Sequence, residues 1–345
     1  MRNHVIILAK PDDIHAVTVA AEVGATFQGR PVILDTARYP TDWRLTLRLS
    51  SDREPSWALC TRDLAISSDD VAGVWWRRPD AHRISKEVKD RRARRFCLDE
   101  ARAAFLGWIH GLGRRVVNPL AAEAAAMQKP LQLLKAKEIG LAIPDTLVTN
   151  DPEEARRFVD MRHDAVIFKT LTAASWQFVE TRQYKAEYRD ELDKVRYAPV
   201  IFQELVPALA DIRVTIVDEK AFAVSIKPEH PGAQLDWRLD AAATIEPHQL
   251  PQEIEATLID LVSELGLRFG AIDLRLTPRG NYVFLEINPA GQFLFCEIHA
   301  RQPISRALAA SLLHGPPAAS RHAASDKGRG AALEDAKYAI RQEIG

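Results

Sequence analysis

Apolar and polar positions along this chain change from one regime to another about a third of the way in. Early on, short apolar runs alternate with amphipathic stretches. Val5-Ile-Ile-Leu8 reads as a buried strand, Ile14 to Val23 as a helix, and Pro31-Val-Ile-Leu-Asp35 as a second strand ending on an acid. Val71-Ala-Gly-Val-Trp-Trp76 is another strand, stopped by Arg77-Arg78-Pro79. Such alternation predicts a small parallel or mixed α/β domain. Ala101, Phe105, Trp108 and Leu112 then recur at helical spacing, and Gly111 and Gly113 end that helix. Asn118-Pro119 marks a boundary.

The pattern beyond it is α+β. Glu123 to Ile139 reads as one helix ended by Gly140, and Ile143 to Asn150 as a strand, with Asn150-Asp151-Pro152 capping the next helix. Ala165-Val-Ile-Phe-Lys169 and Val200 to Val206 are strands. Asp211 to Val217 and Ala221 to Ile226 form a hairpin through Asp218-Glu-Lys220. Glu253 to Leu265 is a helix, and another follows Pro303 to about Leu313. Residues 315–345, rich at first in Pro, Ala, Ser and Gly, read as a mobile tail with a short helix from Glu334 to Ile344.

Phe269 to Gln292 carries the most chemistry. It reads as two apolar strands joined at Pro-Arg-Gly-Asn. With Arg279-Gly280 as a two-residue loop, Asp273 falls opposite Glu286 and Arg275 opposite Phe284. Asn288 shares the face of Glu286, because residues two apart on a strand do. Two carboxylates and an amide oxygen make a hard, oxygen-only set, suited to Mg²⁺ between protein and phosphates and poorly suited to zinc.

Composition narrows the class. A chain of 345 residues suggests two or three structural units, and 47% hydrophobic with 27% charged residues fits a soluble globular enzyme. The net charge of −1 speaks against a dedicated nucleic-acid binder. Cys60, Cys97 and Cys296 are far apart and form neither a metal spacing nor a disulfide framework, which fits a reducing cytoplasm. Met1-Arg-Asn-His leads straight into a strand, without a secretory signal, and no apolar run approaches a membrane span. The basic run Lys89 to Arg95 reads as a solvated helix face.

Further polar residues stand at strand ends. Lys129 opens a helix and Lys169 ends a strand, and lysine is a usual phosphate partner. Thr170 to Ser175 is small and hydroxylated, able to approach phosphates, but poor in glycine. Gln203-Glu204-Leu205-Val206 ends a strand where an acid and the backbone could read a base and a ribose. Asp211, Arg213 and Thr215 alternate onto one face, and an arginine there calls for an anion. Arg77-Arg78 either reads an acidic peptide or fixes the N-terminal domain to the core. The charged segment Phe178 to Pro199, with Glu191 and Asp193, could hold a peptide outside the nucleotide site. His299 reads as structural.

The order Lys129, Lys169, Glu204, Asp-Ile-Arg213, Asp273 and Glu-Ile-Asn288 resembles the ATP-grasp family over about Asn118 to Leu313. The resemblance implies two α+β lobes gripping ATP: Lys129 and Lys169 on the α- and β-phosphates, and Glu204 with the Leu205-Val206 backbone on adenine. It implies Mg²⁺ on Asp273, Glu286 and Asn288, with Arg213 and Arg275 facing the γ-phosphate. Val74-Trp-Trp-Arg-Arg-Pro79 and Phe284-Leu-Glu-Ile-Asn-Pro-Ala-Gly-Gln-Phe-Leu-Phe295 are similar to the microviridin-type graspetide synthetases, ATP-grasp maturases of ribosomal peptides. Ala290 stands where that family often has Asn. The implied organisation is an N-terminal pre-ATP-grasp α/β domain at 1–117, a central lobe at 118–200, a C-terminal lobe with the Mg²⁺ site at 201–314 and a tail at 315–345. The implied activity phosphorylates side-chain carboxylates of a precursor peptide (leader plus an acidic and hydroxyl-bearing core) and joins them to Ser or Thr hydroxyls or Lys amines. A homodimer is common in such enzymes. The alternatives are a ligase adding free amino acids to a protein or small acid, and a nucleotide-binding module without turnover.

Overall fold

His4–Leu8 (β1) is buried at all five positions, which a strand achieves only when both faces are covered. Ile14–Ala25 (α1), capped by Asp13 Oδ1 on the Ala16 N–H at 2.9 Å, leads back to Arg30–Leu34 (β2), parallel to β1. Arg44–Arg48 (β3), Ser56–Cys60 (β4) and Ala65–Ser67 (β5) form a separate antiparallel sheet, which the sequence reading left unassigned although Arg-Leu-Thr-Leu-Arg alternates. Val71–Trp76 (β6) returns parallel to β1. Arg91–Gly111 (α2) and Val116–Val117 (β7) complete a sheet ordered β2-β1-β6-β7. Val5 and Ile7 pack toward α1, while Ile6 and Leu8 face an aromatic layer with Tyr39, Trp57, Phe105 and Trp108. Trp57 and Trp108 meet edge to face at 5.2 Å, a geometry worth about 1 kcal/mol beyond area burial.

The predicted helix from Glu123 to Ile139 is instead two, Leu120–Ala126 (α3) and Lys129–Glu138 (α4), with Gln128 extended between them. Pro130 causes the break: it has no N–H to return to the Ala126 carbonyl. The Gln132 amide takes that carbonyl instead, at 2.6 Å.

Thr146–Thr149 (β8), Pro152–Met161 (α5), Val166–Lys169 (β9), Arg182–Gln183 (β10) and Val200–Glu204 (β11) form a small antiparallel sheet, order β10-β9-β11-β8. One face packs Phe168 and Phe202 on α5, together with Tyr184, Leu192 and Val195 from the charged segment. Ala210–Val217 (β12), Lys220–Lys227 (β13), Thr244–Pro247 (β14), Gln252–Glu264 (α6), Phe269–Leu276 (β15) and Tyr282–Asn288 (β16) build a five-stranded sheet. Its order is β14-β13-β12-β15-β16. Ile212, Val214, Ile272 and Leu274 pack toward α4 and α6. Leu294–Ala300 (α7) and Ile304–His314 (α8) cover part of the other face. Gly73 of β6 touches α8 so closely that a Cβ would lie 2.2 Å from the Leu312 carbonyl oxygen.

This computed structural model describes residues 2–172, 181–230, 240 and 242–315. From residue 316 the expected tail lies outside them, with the Glu334–Ile344 helix, Ala173 to Ser175 of the hydroxyl-rich run and Phe178 to Glu180 of the charged segment. Among the described residues no helix is long and apolar enough to cross a membrane.

Candidate active site

The polar groups gather on the face of the five-stranded sheet that α4 and α6 do not cover. Register explains it. Arg213 of β12 pairs with Asp273 of β15, and Asp273 with Glu286 of β16. Asn288 follows two residues on, opposite Ala271. The neighbouring rung pairs Asp211 with Arg275. Cation and carboxylate thus exchange strands from one rung to the next along one face.

The expected hairpin loop is corrected by one residue. Leu276 pairs with Tyr282, and the ladder shifts at Asp273/Leu274, leaving Arg275 opposite Val283 and not Phe284. The Thr277 N–H meets the Asn281 carbonyl at 2.9 Å, so the loop is longer than two residues and a bulge at Leu285 restores the Asp273–Glu286 pair.

Glu286 is the electrostatic centre. Its Oε2 accepts from Lys129 Nζ at 2.6 Å, and Lys169 Nζ stands 4.0 Å away. Burial alone would raise the Glu286 carboxyl, but Lys129, Lys169 and Arg213 outweigh it and hold it well below the usual range. Burial and Lys129 push the Lys169 ammonium down, against the pull of Glu286. Arg213 Nη1 donates to both Asp273 oxygens, at 2.7 and 2.8 Å, and Nη2 to the Gln292 carbonyl at 3.0 Å. Cys296 lies beside this pair; burial pushes its thiol up to about 12 against the pull of Arg213, so it stays protonated.

Two backbone clamps set the rim, and sequence reasoning missed both. Gln132 Nε2 donates to the Ile287 carbonyl at 2.9 Å and its Oε1 accepts the Ile287 N–H at 3.1 Å, fixing the edge strand between Glu286 and Asn288. Asn118, read only as a boundary, donates to the carbonyls of Phe269 and Pro289 and accepts the N–H groups of Arg268 and Phe269. A signal for the first existed: Gln132 stands on the buried stripe of α4 with Leu133 and Ala136.

Strand alternation divides the base-reading candidates. Gln203 pairs with Ile167, and Ile201 with Lys169, so these four share the face away from Phe168 and Phe202, whereas Glu204 falls on the other. Gln203 is 1% exposed; its Nε2 donates to Thr146 Oγ1, and its Oε1 is buried without a hydrogen-bond partner among the described residues. The Leu205 N–H is bonded to the Ala165 carbonyl at 2.8 Å. Arg275, expected to face the γ-phosphate, is buried and donates to Asp211 Oδ1 at 3.0 Å and the Val206 carbonyl at 3.2 Å. Thr170 gives its hydroxyl to the Thr172 carbonyl.

The substrate candidates separate. Arg77, expected either to read a peptide or to join domains, is 1% exposed and donates to the Ala290 carbonyl at 2.7 Å and the Gly291 carbonyl at 3.3 Å. It joins. Arg78 is exposed, with one bond to the Ala290 carbonyl. Asp193 is bonded to Arg156 at 2.6 Å, and Glu191 to Lys194, so both acids hold the 181–199 segment on itself and on α5. His299 is exposed on α7.

Glu123 of α3 sits near Arg77, with Oε2 buried and unpartnered among the described residues. Burial pushes its carboxyl up to about 8, against the pull of Arg77. An acid raised in the folded state binds its proton more tightly there than in the unfolded chain, so stability falls as pH rises from 4.5 to about 8. Glu123→Gln therefore stabilises the protein by about 3 kcal/mol more near pH 9 than near pH 5 in urea unfolding, and an equal effect at both overturns the assignment.

With this geometry in place, comparison with known proteins is informative. Residues 4–124 match the MvdD pre-ATP grasp domain. No curated protein sequence matches the chain. Among solved structures, macrocyclase MdnC of Microcystis aeruginosa MRC, bound with precursor peptide MdnA, is 31% identical with a TM-score of 0.78, over 90% of this chain and 99% of its own. The RiPP-associated ATP-grasp ligase of Chryseobacterium gregarium, in complex with ADP and a leader and core peptide, is 27% identical over 92% and 98%, with a TM-score of 0.82. ATP-grasp ligase PsnB, complexed with minimal precursor, Mg and ADP, is 25% identical over 90% and 96%, with a TM-score of 0.69. Identity at that level, over nearly the whole of both chains, joined to a shared N-terminal domain and a sheet face of alternating cations and carboxylates, settles the kinship: the chain belongs to the ATP-grasp macrocyclase family of ribosomal-peptide ligases.

Proposed function

We propose that this ligase uses ATP and Mg²⁺ to activate side-chain carboxylates of a ribosomal precursor peptide and closes them onto Ser or Thr hydroxyls, or Lys amines, of the same peptide. One observation carries the reading. Lys129, Lys169 and Arg213 converge on Glu286 and Asp273, a surplus of positive charge that nucleotide phosphates would balance. The all-oxygen set Asp273, Glu286 and Asn288 suits Mg²⁺, which when bound would neutralise phosphate oxygens. The orphaned Gln203 Oε1 suits an adenine amino group, and Arg275 steadies the Val206 backbone beside it as a positioning residue.

The chain's own groups then have definite tasks. Lys129 and Lys169 exchange Glu286 for the α- and β-phosphates. Arg213 neutralises the γ-phosphoryl group as a carboxylate oxygen bonds to phosphorus and the bridging bond to ADP breaks. The acyl phosphate is open to attack because phosphate, unlike oxide, leaves readily. A hydroxyl oxygen or amine nitrogen bonds to the acyl carbon, phosphate departs, and the peptide loses one water per ring. Dispersed free cysteines support a cytoplasmic setting.

Mass spectrometry tests the reading. A short neighbouring-frame peptide rich in Thr, Ser, Asp and Glu is incubated with enzyme, ATP and Mg²⁺, alongside an Asp273→Ala control. Loss of one or more waters, absent in the control, is expected. Steady ADP formation with added amino acids and an unchanged peptide mass assigns an intermolecular ligase instead.

A further inference from the structure

Five residues after the end of β16 are held by side chains from elsewhere. The Pro289 carbonyl accepts from Asn118 Nδ2 at 2.8 Å. That of Ala290 accepts from Arg77 at 2.7 Å and Arg78 at 3.3 Å, and that of Gly291 from Arg77 at 3.3 Å. The Gln292 carbonyl accepts from Arg213 at 3.0 Å. His15 Nε2 then accepts the Phe293 N–H at 3.2 Å. Four consecutive carbonyls and the following N–H are thus taken up, and Arg77, Arg78 and His15 come from the N-terminal sheet and α1. The loop has no slack on its inner side: a Cβ on Gly291 would lie 2.3 Å from Ala271 Cβ and 3.0 Å from Arg213 Nη2.

We propose that Arg77, seconded by His15, is a positioning residue for the reaction, fixing the Pro289–Phe293 backbone and through it the Asn288 amide and the Arg213 guanidinium. The route is short. Arg77 holds the carbonyl of Ala290, whose N–H donates to Asn288 Oδ1 at 3.0 Å. At the far end His15 holds Phe293, next to the Gln292 carbonyl that steadies Arg213. Both bonds from Arg77 leave the one Nη1, and the planar guanidinium that carries it lies over the Trp75 ring at 5.6 Å, a stacking that a lysine ammonium does not reproduce. Asp13, 3.5 Å from its Nε, supplies counter-charge. Burial and the neighbouring Arg77 keep the His15 ring neutral down to about pH 4, so its acceptor nitrogen persists. Loss of a group that orients a metal ligand in this way typically costs about 10- to 100-fold in metal affinity.

The inference rests on the roles proposed above for Asn288 and Arg213, but its test needs no peptide, so failure of the macrocyclisation reading would be seen separately. ADP binding to the full chain is measured by calorimetry with and without Mg²⁺ for Arg77→Lys and His15→Leu, with hydrogen exchange over 289–294. Affinity without Mg²⁺ stays within about two-fold, the gain on adding Mg²⁺ falls about ten-fold, and the Phe293 and Leu294 amides exchange faster. An unchanged Mg²⁺ gain overturns the proposal, with or without faster exchange. So does an equal loss of affinity with and without Mg²⁺. Should Arg77→Lys fail to fold, His15→Leu, which keeps every buried charge pair of Arg77, decides alone.

Discussion

Glu286→Gln lowers the rate of ADP formation by about 10³-fold while tightening the binding of Mg²⁺-free ADP. The two effects oppose each other because Glu286 is proposed to do two things. As a metal ligand it contributes a full negative charge, which an amide oxygen does not replace. As the partner of Lys129 at 2.6 Å and the neighbour of Lys169 at 4.0 Å, it competes with phosphate for both ammonium groups. Removing its charge frees those cations for the nucleotide. The unliganded variant is correspondingly less stable, since Lys129, Lys169 and Arg213 then face one another without their shared anion. The wild-type protein should lose the same stabilisation in acid. A carboxylate held below its ordinary value of 4.5 contributes stability above that pH and loses it as pH falls toward the folded-state value. Rate and affinity are read separately, by single-turnover ADP formation and by calorimetry. Weaker Mg²⁺-free ADP binding would show that Glu286 orders the lysines for phosphate and does not compete with it.

The parts of this site legible in the sequence are those governed by local counting. Strand alternation puts Glu286 and Asn288 on one face, and Asp273 joins them through the Asp273–Glu286 pair that follows from a hairpin centred on Arg279-Gly280. That pair survives a wrong loop because two errors cancel: the loop is longer, and Leu285 bulges out. Arg275 does not share the cancellation, since it lies on the loop side of the bulge, and its partner came out wrong. Contacts between distant segments were not legible. Nothing in the spacing of Arg77 announces Ala290, 213 residues away, or tells a buried guanidinium from a peptide-reading one. Gln203 and Glu204 both stand out in the sequence as strand-end polar residues, but only the register separates them, setting Gln203 with its orphaned oxygen on the face of Lys169 and Glu204 on the other. The break between α3 and α4 was written in Pro130, but reading it required weighing one missing N–H above an unbroken run of helix formers.

Arg213→Lys is expected to cut kcat by about 10³-fold with KM for ATP changed by less than about three-fold. Charge is retained, so the loss must come from shape. The guanidinium meets both oxygens of Asp273 and still reaches the Gln292 carbonyl, and its Nε is buried without a partner among the described residues. A lysine ammonium is a single point on a flexible stem and cannot serve both neighbours. Of the positions on this face, Arg213 is the one held from a carboxylate proposed to bind metal and from the loop beyond Asn288 together, so a change there disturbs charge placement on both sides of the transferring phosphoryl group. That placement matters most as the carboxylate oxygen approaches phosphorus, when negative charge is spread over the group in flight. Ground-state ATP is proposed to be held mainly elsewhere, by Lys129, Lys169 and the Val206 end of β11. A loss confined to kcat therefore marks an interaction made in the transition state. If KM rises and kcat holds, Arg213 binds ATP in the ground state, and the charge stabilising the transfer must come from another residue.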